Sequence, residues 1–287
     1  LGRSKFMKTL KTTFLLTALT LLLLFVGQML GGSHGLTIAL VVAVLMNGGA
    51  YFFSDKIALA SSGAVPISRE QEPRLYAVME RLAAKANLPM PKLYMIPQAA
   101  PNAFATGRNP SHASVAVTQG LMEIMNDDEL EGVIAHELSH VRNYDILTSS
   151  IAATIAGAIT WVARMGFCFG GGGDDSNRGS GIVGLLMLFL APLAAMLLQL
   201  GISRQREYQA DASGVKMVGH ANGLISALEK LGAYNKRIPM DIPPTTSALM
   251  IVQPLSAREM FSSLFSTHPP LADRIAALRN MTITREG

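Results

Sequence analysis

The chain is short of charge and nearly without cysteine. Among its 287 residues are 24 Lys+Arg and 20 Asp+Glu, 15% charged in all, whereas soluble domains carry about 25%. A single cysteine, Cys168, cannot close an intramolecular disulfide, which excludes a disulfide framework, a Cys-rich zinc ribbon and an iron–sulfur site. Any metal must then be held by histidine and carboxylate. The formal net charge of +4 is too small for a protein that coats nucleic acid, and a hydrophobic share of 49% excludes a disordered chain. A mean hydropathy of +0.32 with so few charges places part of the chain in lipid. No internal repeat is visible.

Charge is absent altogether from Thr12 to Ser54, where two apolar runs, 12–30 and 36–53, flank Gly31-Gly32-Ser33-His34-Gly35. At about 1.5 Å per residue each run nearly spans a hydrocarbon core of roughly 30 Å, which predicts a transmembrane hairpin over residues 1–54. A signal peptide is the competing reading, since Lys8 and Lys11 precede the first run, but a second apolar run follows where a cleavage site should stand. Residues 1–6, ahead of Met7, read as an upstream extension. A second apolar pair, 146–169 and 182–202, surrounds a Gly/Asp/Ser-rich loop. The run 182–202 reads as a span. The run 146–169 is rich in Ala, Thr and Ser and contains Arg164, so a buried hairpin of a soluble domain competes there. In a four-span layout every Lys and Arg except Arg164 and Arg178 falls on one side, which the positive-inside rule makes cytoplasmic, both termini included.

The polar remainder is discontinuous, residues 55–145 and 203–287, and long enough for one core. Leu75, Val78, Met79, Leu82 and Ala86 recur at helical spacing and predict a helix over 70–87, ended by Leu88-Pro89-Met90-Pro91. Lys92–Ile96 predicts a short strand, 101–110 holds an extended piece between turn residues, and Ala113–Thr118 alternates as a half-buried or edge strand does. Asn126 is a suitable N-cap for a helix whose first turn, Asp127, Asp128 and Glu129, suits the positive end of the helix dipole. Helix, three strands and helix in that order give an α+β domain, mainly helical with a small sheet.

The helix after Asn126 carries H-E-L-S-H at 136–140. Four residues are slightly more than one helical turn, so His136 and His140 project from one face and can share an ion, with Glu137 beside them as the general base of a zinc peptidase. A catalytic zinc takes three protein ligands, and Glu207 in R-E-Y-Q-A-D is the candidate third. Asp211, one turn later, can accept a hydrogen bond from the far nitrogen of a ligand histidine. The competing reading pairs Glu207 and Asp211 with Arg204 or Arg206 on a solvated face. Because both ligand-bearing helices lead toward the second apolar pair, the metal is expected close to the membrane surface.

H-E-L-S-H-V-R-N-Y-D, followed after a hydrophobic hairpin by E-Y-Q-A-D, resembles the HtpX branch of the membrane zinc metalloproteases that also include the CAAX prenyl proteases. P-N-A-F-A-T-G at 101–107, V-A-V-T-Q-G-L at 115–121 and T-H-P-P-L-A-D-R-I-A-A-L at 267–278 fit that branch too, so the resemblance covers nearly the whole chain. It implies a multi-pass protein of the bacterial inner membrane with a gluzincin fold and a cytoplasm-facing active site. The implied activity is cleavage of misfolded or damaged membrane proteins in quality control and stress response. One Zn2+ per chain would be held by His136, His140 and Glu207, and nucleic acid is not an expected partner. An extended substrate could add to an edge strand through main-chain hydrogen bonds. Val115, Ala116 and Val117 are the candidate edge, with Asn102 and Ala103 on the opposite wall; an ordinary strand is the alternative. His268 could stabilise the oxyanion as a charged donor, or serve as a capping or interface histidine, and Arg274 nearby is a further candidate for binding substrate. Asn143 and Asp145 are expected to end or position the zinc helix. A zinc-binding scaffold or holdase and a processing protease for lipidated C-terminal peptides are the competing functions. A transporter is disfavoured, because the apolar runs are almost free of ionisable residues.

Overall fold

Two glycines turn the N-terminal apolar stretch back on itself. The computed structural model describes residues 2–169, 203–235, 237–238, 240, 243, 246, 248–252 and 268–283. Helix α1 (Gly2–Ser61) is two helices joined at a kink, where Gly31 has φ −145°, ψ 16° and Gly32 has φ 56°, ψ −136°. The left-handed backbone at Gly32 is open to glycine and costly for a residue with a Cβ. Thr12–Met29 and Gly31–Ser61 are each long and apolar enough to cross a membrane. The turn is thus narrower than the five-residue loop expected from sequence. The second helix also runs beyond residue 53 to Ser61, because nothing from Ile57 to Ala60 interrupts it before Gly63 at φ 68°. Phe25, Met29, Ile38, Val44 and Leu45 are exposed and leave the hairpin an apolar exterior.

The sheet consists of β1 (Val65–Pro66), β2 (Lys92–Ile96), β3 (Ala103–Gly107) and β4 (Ala113–Thr118), in the order β1-β2-β4-β3. Strand β2 pairs parallel with β4, and the other pairings are antiparallel. Strand β1 escapes sequence reading because two residues carry no periodicity. Strand β4 is interior, which corrects the expectation that Val115, Ala116 and Val117 form an edge. Its alternation is genuine, but both faces are covered. Val115 and Val117 join the main core, while Ala116 packs with Phe104 against Ala58, Leu59, Met240 and Met250. The edge strands are β1 and β3 instead.

Helix α2 (Pro73–Lys85) buries Leu75, Val78, Met79 and Leu82, and proline at its start together with the positive φ of Asn87 trims it to less than the expected 70–87. Helix α3 (Gln119–Ile124) follows β4. Helix α4 (Asp127–Arg142) opens with a full capping box: the Asn126 side chain accepts from the Glu129 amide, and the Glu129 carboxylate accepts from the Asn126 amide. Glu129 also receives Ser226 Oγ and Lys230 Nζ from a neighbouring helix. Although burial penalises its charge, these donors hold its carboxyl below the usual carboxylate range. Leu130, Val133, Ile134, Ala135, Leu138 and Val141 are all fully buried, so α4 is surrounded by protein.

Helix α4 does not run on into the next apolar segment. Asn143 caps it, Tyr144 turns the chain at φ 60°, and α5 (Asp145–Phe169) starts afresh. The first half of α5 packs Ile151, Ala152, Ile155 and Ala156 against Leu19 and Ala50 of α1, and the Thr12 and Thr148 hydroxyls meet at 3.0 Å. The expected span 182–202 and the loop before it lie outside the described residues. Three further helices follow among the described residues: α6 (Arg204–Val218), α7 (Asn222–Asn235) and α8 (Leu271–Ile283). Helices α6 and α7 both pack on α4. At Gly214 a Cβ would stand 3.2 Å from the His136 amide nitrogen, so the absence of a side chain there lets α6 close on the ligand-bearing turn of α4.

Candidate metal centre

His136 and His140 face the same way from α4, and α6 brings Glu207 against them. The two Nε2 atoms lie 3.2 Å apart, and each is 3.5 Å from a Glu207 oxygen, Oε2 for His136 and Oε1 for His140. Donors on a tetrahedral zinc, with bonds of about 2.0–2.1 Å, stand roughly 3.3 Å from one another. The three residues form a group able to hold a metal ion. Among the described residues Glu207 Oε2 is buried with no hydrogen-bond partner, which a hydrogen-bonded structural role would not leave. Charge points the same way. Glu137, Asp145, Glu207 and Asp211 are all buried here, and among the described residues only Arg206 and Arg274 are buried as compensating cations. With neutral imidazoles that leaves two uncompensated negative charges, which a divalent cation balances.

The groups behind the ligands fix their orientation. Asp211 Oδ1 accepts from His136 Nδ1 at 2.8 Å, directing Nε2 into the site, as the sequence pattern requires. Asp211 is itself gripped by Arg274, whose Nε and one Nη donate to its two oxygens at 2.9 and 2.7 Å; the other Nη donates to the Ile251 carbonyl at 2.8 Å. Arg274 is 1% exposed and lies behind the ligands. The expectation that it meets substrate is thereby corrected: its fork is committed to a carboxylate and a carbonyl.

Each ionisable group is tuned by this setting. Burial disfavours a charged His136, but hydrogen bonds to Asp211 and Glu207 outweigh it and raise its pKa to about 9 in the metal-free protein, so a bound cation would take the place of a proton there. Burial also works against ionised Glu207 and Asp211. His268 and the two ligand imidazoles nevertheless hold Glu207 well below the usual range, and Arg274 lowers Asp211. Glu137 behaves oppositely: burial raises its carboxyl despite the neighbouring imidazoles, which makes it a stronger base than an exposed glutamate.

A cleft opens over this cluster, lined by Ala105, Glu137, His140, Ser149, Glu207 and His268, with Ile146, Ala248 and Leu249 as apolar walls. His268 Nε2 is 3.9 Å from Glu207 Oε2. Burial, aided by Arg274 against the pull of Glu207, lowers its pKa to about 4, so it is a neutral donor and not the charged one expected from sequence. Asn102 is buried and ties the sheet to a loop through Val252 O, and Ala103 O accepts from the Ile251 amide. Neither is on the cleft. Two residues on, Ala105 lines it. Because the Thr118 amide donates to Asn102 O, Ala105 falls at an alternate position whose amide and carbonyl point away from β4. The apolar wall of Ala248 and Leu249 has no sequence signal, since nothing in its residue types distinguishes it from core.

The family model described as Peptidase family M48 matches residues 69–282. A protein named "Protease HtpX homolog" from Desulfatibacillum aliphaticivorans is 54% identical over 274 residues, covering 94% of this chain and 88% of that protein. A protein of the same name from Syntrophobacter fumaroxidans is 52% identical over 278 residues, covering 94% and 98%. Among solved structures, "Crystal Structure of S. mikatae Ste24p" aligns with a TM-score of 0.51 at 20% identity, over 97% of this chain and 67% of that one, a likeness of fold.

Proposed function

The chain belongs to peptidase family M48 and is a membrane-associated metalloprotease, and from that premise we propose that His136, His140 and Glu207 hold one catalytic Zn2+ with Glu137 as general base. The observation that carries this reading is the convergence of two imidazoles and one carboxylate on a single point, with a fourth, non-ligating carboxylate beside it in the same cleft. Two His and one Glu with an open position are the donor set of hydrolytic zinc. Bound there, Zn2+ supplies Lewis acidity, polarising the scissile carbonyl and acidifying a water. Glu137 takes the proton from the attacking water and delivers it to the leaving amine. His268, neutral and facing the cleft, donates its N–H to the developing oxyanion. His268→Ala is expected to lower kcat by about 10²–10³ with metal content intact; an unchanged kcat would remove this role.

The substrate is an unfolded or misfolded polypeptide, chiefly a membrane protein, held extended along the outer edge of β3 at Ala105, beyond the Ala103 carbonyl that Ile251 occupies. Main-chain pairing there is nearly indifferent to sequence and suits damaged chains of any composition. The direct test is cleavage of casein by detergent-purified protein. Activity abolished by a chelator and restored by Zn2+ is the expected result, and cleavage that survives chelation would end the reading.

The α1 hairpin anchors the enzyme in the bacterial inner membrane, the second hydrophobic hairpin adds two further spans, and the cleft faces the cytoplasm. Basic residues flanking the apolar runs favour this orientation. With Cys168 replaced by Ser, a cysteine at Glu123 should react with a membrane-impermeant maleimide in inverted vesicles and not in intact spheroplasts; the reverse pattern would invert the topology.

A further inference from the structure

The two ligand histidines are not supported alike. Behind His136 stands the buried pair Asp211–Arg274. Behind His140 stands another buried pair, which the zincin motif does not require. Asp145 Oδ2 lies 3.5 Å from His140 Nδ1, and Asp145 Oδ1 lies 3.6 Å from Arg206 Nε. Asp145 is 2% exposed and Arg206 7% exposed, so both belong to the interior. The backbone is bent to bring this about. Tyr144, in the position after the α4 cap where glycine is usual, has φ 60°, and its amide donates to Val141 O at 3.1 Å. That turn carries Asp145, the first residue of α5, back beneath His140.

We propose that Asp145, braced by Arg206, is the positioning carboxylate of His140, so that each metal-binding imidazole has its own carboxylate–guanidinium pair. Asp145 selects the tautomer with the proton on Nδ1 and directs Nε2 of His140 to the metal. The pair has a second consequence through its place in the fold. Asp145 is the first residue of α5 and Arg206 stands in the first turn of α6, so the ion pair joins the two ends of the hydrophobic segment between them. Helix α5 is in turn fastened to α1 by the Thr12–Thr148 hydrogen bond. The membrane-associated helices therefore hold one metal ligand in register through Asp145. Among the described residues nothing comparable links them to His136, whose partners come from α6 and α8.

This inference rests on the metal reading, and the experiment separates the two. Zn2+ affinity would be measured by chelator competition on the full-length protein in detergent, and Co2+ substitution would report ligand geometry by its absorption bands. Asp145→Ala should weaken Zn2+ about 10- to 100-fold and shift the Co2+ bands. Asp145→Asn, whose amide oxygen still accepts from Nδ1, should lose less, and Arg206→Lys should lose less than Arg206→Ala. Glu131→Gln, on the same helix as His140, breaks only a surface ion pair with Arg81 of α2 and should bind Zn2+ as wild type does. Wild-type affinity and an unshifted Co2+ spectrum in Asp145→Ala would overturn the proposal, as would an equal loss in Glu131→Gln. Should Asp145→Ala fail to fold, Asp145→Asn and Arg206→Lys decide by the same two readouts. A wild-type protein that binds no Zn2+ would overturn the metal reading itself.

Discussion

Glu137→Gln is expected to keep one metal ion per chain and to cleave casein about 10²–10⁴-fold more slowly than wild type. The substitution preserves shape and hydrogen-bonding reach and removes only basicity. Glu137 is not among the three residues whose donor atoms converge, so metal content should be equal in the two proteins. Its carboxylate lines the cleft while 2% exposed, and burial raises its proton affinity, which suits a group that must take a proton and return it. KM should change little, because the carboxylate acts on the water and not on the peptide; the loss belongs to kcat. Metal analysis beside the kinetics discriminates the alternatives. Metal lost together with activity would make Glu137 a structural anion. Retained activity with retained metal would place the base elsewhere in the cleft.

The same comparison bears on a zinc-binding scaffold, the chief competing function. A closed structural site needs a fourth protein donor. Among the described residues only His136, His140 and Glu207 form a group within ligating reach of one another. The neutral imidazole of His268 is close to Glu207 yet faces a cleft with solvent access, where substrate can enter.

Much of this centre is legible in the sequence because ligand chemistry allows few residue types. Two histidines one turn apart and an acidic pair one turn apart can be recognised with no knowledge of the fold. The structure brings His136, His140, Glu207 and Asp211 together as that pattern requires. What sequence does not carry is the pairing of partners far apart in the chain. Val115, Ala116 and Val117 alternate like an edge strand, but which strand ends a sheet depends on where β3 and the α1 terminus pack. Arg274 resembles a substrate group because a guanidinium has the same chemistry on a cleft wall or behind a ligand; only its 63-residue separation from Asp211, closed by the fold, decides. Asp145 reads as a helix-ending residue, since the left-handed turn at Tyr144 that returns it to His140 has no glycine to announce it. The boundaries of α1 differ more mildly. Apolar runs mark where lipid can be, whereas the helix ends where the backbone must turn, eight residues later at Ser61.

Arg274→Met should destabilise the fold more than Glu137→Gln, His268→Ala or Asp145→Ala does. The methionine fills a similar volume and keeps the apolar stem, so the effect isolates the guanidinium. Asp211, 1% exposed, would lose its guanidinium partner, and the Ile251 carbonyl would lose its donor. Stranding a buried carboxylate costs about 3–5 kcal/mol, or roughly 10 °C in melting temperature for a chain of this size. The expected loss exceeds that of Asp211→Asn, which leaves a neutral amide still able to accept from His136 Nδ1. If the cost is the stranded charge, the Asp211→Asn, Arg274→Met double variant must be more stable than the sum of the single losses predicts, by about 1 kcal/mol or more. Strict additivity would mean that the two side chains act independently and that the 2.7 Å and 2.9 Å contacts contribute little. Metal binding reports the same coupling from the other side. An Asp211 carboxylate freed from Arg274 can rotate away from His136, so Arg274→Met should also weaken Zn2+ binding although the guanidinium is no ligand, and Arg274→Lys, with charge but no fork, should recover part of the affinity.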